Sequence, residues 1–143
     1  GCGRAPYGYV AEMLGHVYRG IELSEWAVRN ALTPNVFIGD VTDSKVYVPL
    51  RQEGRFDLVL CVDILEHLKK EDLDKVLSNV QRIAKKVIFS VPFLGDPNLT
   101  ADKSHLTHES KEWWKNKLSE YFRITDAPPY FSFAHQILIG SLE

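Results

Sequence analysis

Apolar positions along this chain change period several times, and each change marks an element. Tyr9, Val10, Met13, Leu14 and Val17 recur at helical spacing, which predicts a first helix over residues 8–15 ended by Gly15. Val17–Leu23 follows as a β-rich run. Ser24 is a ready N-cap for a second helix carrying Trp26, Ala27, Asn30 and Ala31, and Thr33-Pro34 stops it. Val36–Asp40 is a second β-rich run, again ending in a carboxylate. Over 41–54 the pattern fails: Val46, Tyr47 and Val48 are β-prone, but Pro49 and Gly54 interrupt them, so a loop with at most a short helical turn is expected.

The second half reads more clearly. Phe56–Val62 is continuously apolar apart from Asp57, as in a parallel strand covered by helices on both faces. Leu73, Val76, Leu77, Val80, Ile83 and Ala84 make an apolar stripe on a helix over 71–85. Val87–Val91 is the next strand, closed by Pro92. From Phe93 to Glu109 no period holds, and Gly95, Asp96, Pro97 and Asn98 cluster as turn formers; so long a loop in a compact domain is often functional. Trp114, Leu118, Tyr121 and Phe122 mark a last helix over 110–121 capped by Ser110. Their helical spacing points to packing, which leaves Trp113 the freer ring for a substrate. Phe122–Thr125 and Ser132–Gly140 are two closing strands around Pro128-Pro129. Three strand–helix alternations predict a doubly wound α/β sheet.

Composition narrows this picture in a few respects. At 143 residues, 45% hydrophobic, the chain suffices for a single domain over 1–141, with Leu142-Glu143 reading as a tag remnant. A net charge of -2 gives no general attraction to nucleic acid, so a nucleic-acid partner is not expected. Two cysteines, Cys2 and Cys61, form neither a disulfide framework nor metal-ligand spacing, which fits a reducing cytoplasm. No signal peptide and no apolar run near the ~20 residues of a membrane span is present.

The chemistry begins at the start of the chain. Gly1-Cys2-Gly3-Arg4-Ala5-Pro6-Tyr7-Gly8 is a glycine-rich turn entering a helix, and Glu22 ends a β-rich run about 20 residues after it, the spacing of a nucleotide site with a ribose-binding acid. Backbone N–H groups of the turn would face a negative group, and Glu22 would accept bonds from two ribose hydroxyls. His105 and His108 lie in the long loop, and histidine is the residue type suited to proton transfer near neutral pH, so either could take a proton from an oxygen or nitrogen nucleophile. His67 is the third candidate for that work.

These residues resemble the class I S-adenosylmethionine (SAM)-dependent methyltransferases, in their type 11/12-like form. Gly1-Cys2-Gly3 matches the first motif, Gly20-Ile21-Glu22-Leu23-Ser24 the acid after the second strand, Gly39-Asp40 the acid near adenine, and Phe56-Asp57-Leu58-Val59-Leu60-Cys61 with Leu65-Glu66-His67 the fourth-strand phrase. Ala5 stands where a third glycine is usual. The resemblance implies a Rossmann-like sheet of strand order 3-2-1-4-5-7-6, mostly parallel with an antiparallel C-terminal edge hairpin. It implies SAM as cofactor, held by Gly1, Cys2, Gly3, Glu22, Leu23, Asp40, Val41 and Cys61, and a small-molecule methyl acceptor. Since such a sheet delivers its first strand into the glycine turn, either residues before Gly1 are expected to supply a central strand or that strand comes from elsewhere. Asp63, Glu66 and His67 also resemble an acid-x-x-Glu-His metal motif of ubiquinone-pathway and small-RNA methyltransferases, although that motif usually begins with Glu; salt bridging between helices is the plainer account of the trio, and no metal is expected. Two other readings stay open: a catalytically silent SAM-fold subunit, and a nicotinamide-dependent enzyme, against which Pro6 interrupts the Gly-x-Gly-x-x-Gly fingerprint.

Overall fold

The protein is described from a computed structural model at residues 1–96, 99, 102–127 and 136–142. Its chain forms two compact units, Gly1–Glu53 and Gly54–Glu143. Among the described residues each has its own sheet, of two and four strands.

In the first unit, helix α1 spans Pro6–Met13 and so begins two residues before the apolar spacing predicts. Pro6 sits in its first turn, where a missing N–H costs nothing, and Ala5 precedes it in the left-handed conformation at φ 57°. The early start makes Gly8 the third residue of the helix instead of its first. There it is buried, and a Cβ at this position would lie 2.5 Å from Tyr18 Cδ1, so its bare backbone is what lets the Tyr18 ring pack on α1. The apolar residues that revealed the helix point elsewhere: Met13 and Leu14 are about 70% exposed.

Strand β1, Gly20–Glu22, pairs in parallel with β2, Val36–Ile38, from Gly20↔Val36 to Glu22↔Ile38. Both are shorter than the β-prone runs because only these residues find ladder partners. Between them α2, Glu25–Arg29, is capped by Ser24, whose Oγ accepts the Ala27 N–H at 3.3 Å. The segment expected to be mostly loop is more ordered: a 3₁₀ turn at Ser44–Tyr47 runs into helix α3, Val48–Gln52. Pro49 falls in the first turn of α3 and therefore starts this helix instead of breaking it. Tyr47 is buried beneath it and donates its hydroxyl to the Val41 carbonyl at 3.0 Å.

In the second unit, β3 occupies Phe56–Val62 and runs parallel to β4, Ala84–Val91. Helix α4, Lys70–Ile83, makes the crossover. Its stripe is buried as predicted, with Leu73 and Leu77 fully enclosed, and each such leucine contributes roughly 1.5–3 kcal/mol. Ala84, last of the predicted stripe, already has extended dihedrals, so α4 passes into β4 with no intervening turn. β6, Gln136–Ser141, pairs antiparallel with β4 and with β5, Arg123–Asp126, giving the order β3-β4-β6-β5. The first part of the predicted last strand, 132–135, lies outside the described residues, as does Pro128-Pro129.

Helix α5, Lys111–Ser119, is capped by Ser110 Oγ, which accepts the Trp113 N–H at 3.1 Å. Trp114, Leu118 and Phe122 are buried, as helical spacing predicted, and Trp113 is half-buried with Lys70 Nζ 5.4 Å from its ring centre. One expectation fails. The β3 run was read as covered on both faces, yet Leu58 is 50% and Leu60 43% exposed, and because residues two apart point from the same side of a strand, the face that carries them is only partly covered. No helix of these residues is long and apolar enough to cross a membrane.

Candidate functional site

In the first unit, Glu22 is the point on which the glycine turn and both strand ends converge. Gly3, at φ 55°, turns its N–H onto Glu22 Oε2 at 2.7 Å, and the Ser24 N–H reaches Oε1 at 2.8 Å. The backbone carbonyl of Glu22 accepts the Gly39 N–H at 2.9 Å, which brings the end of β2 alongside that of β1. The Cys2 N–H donates to the Ile21 carbonyl at 3.1 Å. Burial raises the affinity of Glu22 for a proton, but the bonds from the Ser24 and Gly3 N–H groups work against it, and its carboxyl lies below the ordinary glutamate value. The side chain is thus an ionised acceptor held in one orientation. Each carboxylate oxygen accepts more than one hydrogen bond, so both keep capacity for a ligand's hydroxyls.

Asp40 follows β2 in an Asx turn, its Oδ1 accepting both the N–H and the hydroxyl of Thr42 at 2.8 Å. Leu23 beside Glu22 is 66% exposed, and Ile38 before Asp40 is 54% exposed. Apolar surface next to two strand-terminal acids is what a base and its ribose need. A Cβ at Gly3 would meet nothing within 4 Å, so space is open over the turn.

A second group of polar residues belongs to the other unit. After β3 the chain turns at Asp63, in the left-handed region at φ 52°, and enters a 3₁₀ turn at Leu65–His67. The Glu66 carbonyl accepts the N–H groups of Leu106 at 2.7 Å and Thr107 at 3.0 Å, and the buried Thr107 hydroxyl donates to the Leu68 carbonyl at 2.7 Å. These three bonds fasten the loop after β4 onto the turn after β3. As a result the rings of His67 and His105 lie 4.6 Å apart, edge to face. Glu66 is only 1% exposed, and its Oε2 has no hydrogen-bond partner among the described residues. Burial pushes its carboxyl up to about 7, with the charges of Asp63 and Asp102 adding to the effect.

The Methyltransferase domain family matches residues 1–87. The chain belongs to this methyltransferase family. No curated protein matches the sequence. Among solved structures the chain is similar to a SAM-dependent methyltransferase from Archaeoglobus fulgidus, at 18% identity and a TM-score of 0.75, covering 99% of this chain and 83% of the other. It is similar also to the PH0226 protein of Pyrococcus horikoshii OT3, at 14% identity, TM-score 0.75, and 98% and 79% coverage. A third is magnesium protoporphyrin IX methyltransferase of Synechocystis PCC 6803 with bound SAH, at 18% identity, TM-score 0.68, and 99% and 71% coverage.

The fold is therefore the Rossmann-like α/β fold of these methyltransferases, and the cofactor is S-adenosyl-L-methionine. The first unit of this methyltransferase fits that cofactor by its donor set: an ionised, oriented Glu22, an open glycine turn and a second acid at Asp40. Seven of the eight residues expected to hold it, Gly1, Cys2, Gly3, Glu22, Leu23, Asp40 and Val41, lie in this unit, in the turn, at the end of β1 or just after β1 and β2. Cys61 belongs to the second unit, buried near the end of β3, where burial pushes its thiol up to about 12. It is chemically inert at neutral pH.

Of the candidate proton acceptors, His67 and His105 are brought together, and His108 is exposed with Nε2 3.0 Å from the His105 carbonyl. His135 lies outside the described residues. Of the trio Asp63, Glu66 and His67, for which salt bridging was the plainer account, Asp63 Oδ1 accepts the Ser90 hydroxyl at 2.9 Å, and His105 lies beside the other two. Sequence reasoning missed Tyr18, whose signal is visible afterwards as the helical glycine Gly8 that it covers. It also missed Ser104 and Asp102, which orient His67 by contacts no local pattern encodes.

Proposed function

We propose that this methyltransferase moves the methyl group of SAM to an oxygen or nitrogen of a small-molecule acceptor. The observation that carries the reading is the double clamp of the Gly3 and Ser24 N–H groups on Glu22, which presents an ionised carboxylate to ribose hydroxyls. Gly1, Cys2 and Gly3 line the donor's amino-acid end, Glu22 takes the ribose, and Leu23, Asp40 and Val41 take the adenine. Methyl transfer from a sulfonium is a single displacement. Alignment of nucleophile, methyl carbon and sulfur can supply roughly 7–11 kcal/mol of the barrier, so few catalytic groups are needed.

The acceptor's proton goes to an imidazole, His105 before His67 and His108. His105 Nδ1 is 2.9 Å from the Leu99 carbonyl, which can only accept, so the proton of a neutral ring sits on Nδ1 and Nε2 carries a lone pair. Calorimetric titration tests the reading, with SAM expected to bind and NADH to bind much more weakly. Tighter binding of NADH would overturn it. Assay of labelled methyl transfer to a panel of hydroxyl and amine acceptors then finds the substrate class, and His105→Ala should lower turnover 10²–10⁴-fold with SAM affinity kept.

A further inference from the structure

The carboxylate of Asp102 serves two imidazoles, one through each oxygen. Its Oδ1 accepts the Ser104 N–H at 2.8 Å and the Ser104 hydroxyl at 2.6 Å, and that hydroxyl oxygen lies 3.0 Å from His67 Nδ1. Its Oδ2 lies 4.0 Å from His105 Nε2. We infer that Asp102 is a positioning residue for methyl transfer, which fixes the tautomer of His67 through Ser104 and supplies the counter-charge for His105. The inference deepens the proposed function and rests on it for the part His105 plays, but the tautomer can be read without methyl donor or acceptor.

The tautomer follows from the donors. Ser104 Oγ gives its only proton to Asp102, so towards His67 it can only accept, and the neutral ring must carry its proton on Nδ1. The Ser104 carbonyl, 3.3 Å from the same nitrogen, is likewise an acceptor. His67 therefore keeps its lone pair on Nε2, as His105 does through the Leu99 carbonyl. A free histidine side chain favours the opposite form, with the proton on Nε2, so the hydrogen bond at Nδ1 is what imposes this one.

The counter-charge follows from the reaction. As the acceptor's oxygen or nitrogen bonds to the methyl carbon, the C–S bond leaves its electron pair on sulfur and the acceptor's proton goes to His105 Nε2. The sulfonium loses its positive charge and the imidazole gains one. The His105 side chain is only 8% exposed, and a charge formed out of water is costly unless an opposite charge is near. Glu66 also has an atom within 4.8 Å of a His105 nitrogen, but burial pushes its carboxyl up to about 7, so near neutral pH it is only partly ionised. Asp102 is the steadier partner, because the hydroxyl and N–H of Ser104 hold its carboxyl below the ordinary aspartate value. A carboxylate so placed orients a histidine and stabilises its imidazolium without taking the proton itself.

The test is nitrogen NMR of the histidine-labelled protein in alkaline solution, where imidazoles are neutral, without SAM or acceptor. The signals of His67, assigned by their loss in His67→Ala, should show the Nδ1–H form. Asp102→Ala frees the Ser104 hydroxyl to donate to Nδ1 and should move His67 to the Nε2–H form. Ser104→Thr keeps the hydroxyl and should keep the wild-type signals. Both substituted positions are exposed, so the variants should fold. With an acceptor from the panel, Asp102→Asn should lower kcat about 10-fold, less than loss of the base itself, with SAM affinity kept. An Nε2–H form in the wild type, an Nδ1–H form that survives Asp102→Ala, or full turnover by Asp102→Asn would each overturn the inference. Failure of the wild type to bind SAM would instead count against the proposed function and leave the tautomer result standing.

Discussion

The N–H of Gly3 and the carboxylate of Glu22 meet at 2.7 Å across nineteen residues of sequence, so the residue expected to bind ribose also fixes the turn expected to bind the rest of the cofactor. Glu22→Gln replaces an acceptor oxygen by a donor and must lose either the Gly3 or the Ser24 bond. SAM affinity should fall by about 1.5–3 kcal/mol, the worth of a hydrogen bond to a charged group. Calorimetry checks this, and an unchanged affinity removes Glu22 from the site.

Acid should weaken the first unit through the same residue. The Glu22 carboxyl is held below its ordinary 4.5 in the folded protein, so the stabilisation it brings is present above that value. It is lost as pH falls through the lower folded value. Thermal unfolding followed from pH 7 down to pH 3 should show a loss of midpoint that is smaller in Glu22→Gln than in the wild type.

Gly8 and Ala5 should respond in opposite directions to a change of one methyl group. Gly8→Ala would drive a Cβ into the Tyr18 ring and should cost about 1–3 kcal/mol, as overpacking does. Ala5→Gly relieves a left-handed alanine, worth about 1–2 kcal/mol, against the lost burial of a methyl at about 0.8 kcal/mol. Ala5→Gly should therefore be neutral or slightly stabilising in a denaturant titration, and clear destabilisation would show that the methyl contact outweighs the strain.

Thr107→Val keeps shape and deletes the hydroxyl that donates to the Leu68 carbonyl. It should cost about 1–3 kcal/mol, because a carbonyl inside the structure loses its partner. Hydrogen exchange at the Leu106 and Thr107 amides should quicken, reporting that the loop has loosened from Glu66. Unchanged exchange would mean that the two backbone bonds hold the loop unaided.

Legibility in the sequence followed the range of the interactions. β3 at Phe56–Val62 matches its apolar run residue for residue, and α4 and α5 follow from a stripe and a serine cap, both local signals. The turn–acid spacing that singled out Glu22 is also short-range. The start of α1 was misplaced because nothing in the word Ala-Pro announces a left-handed alanine. Exposure of Leu58 and Leu60 depends on what packs over their face of β3, which an apolar run does not specify. Likewise the meeting of Glu66 with His105 is made by backbone donors of Leu106 and Thr107, groups that every residue type carries.

The indole positions make the two halves of this molecule optically distinct. Trp26, in the first unit, is 67% exposed and should emit at the long wavelengths of a hydrated ring. Trp114, in the second, is fully enclosed, its Nε1 unpaired among the described residues and its ring perpendicular to that of Trp113 at 5.1 Å. Its emission should be blue-shifted, and the contribution of Trp26 can be removed by Trp26→Phe on an exposed surface. A single denaturation followed by emission colour would thus register the α5 side of the chain apart from the glycine-turn side, with no dye attached.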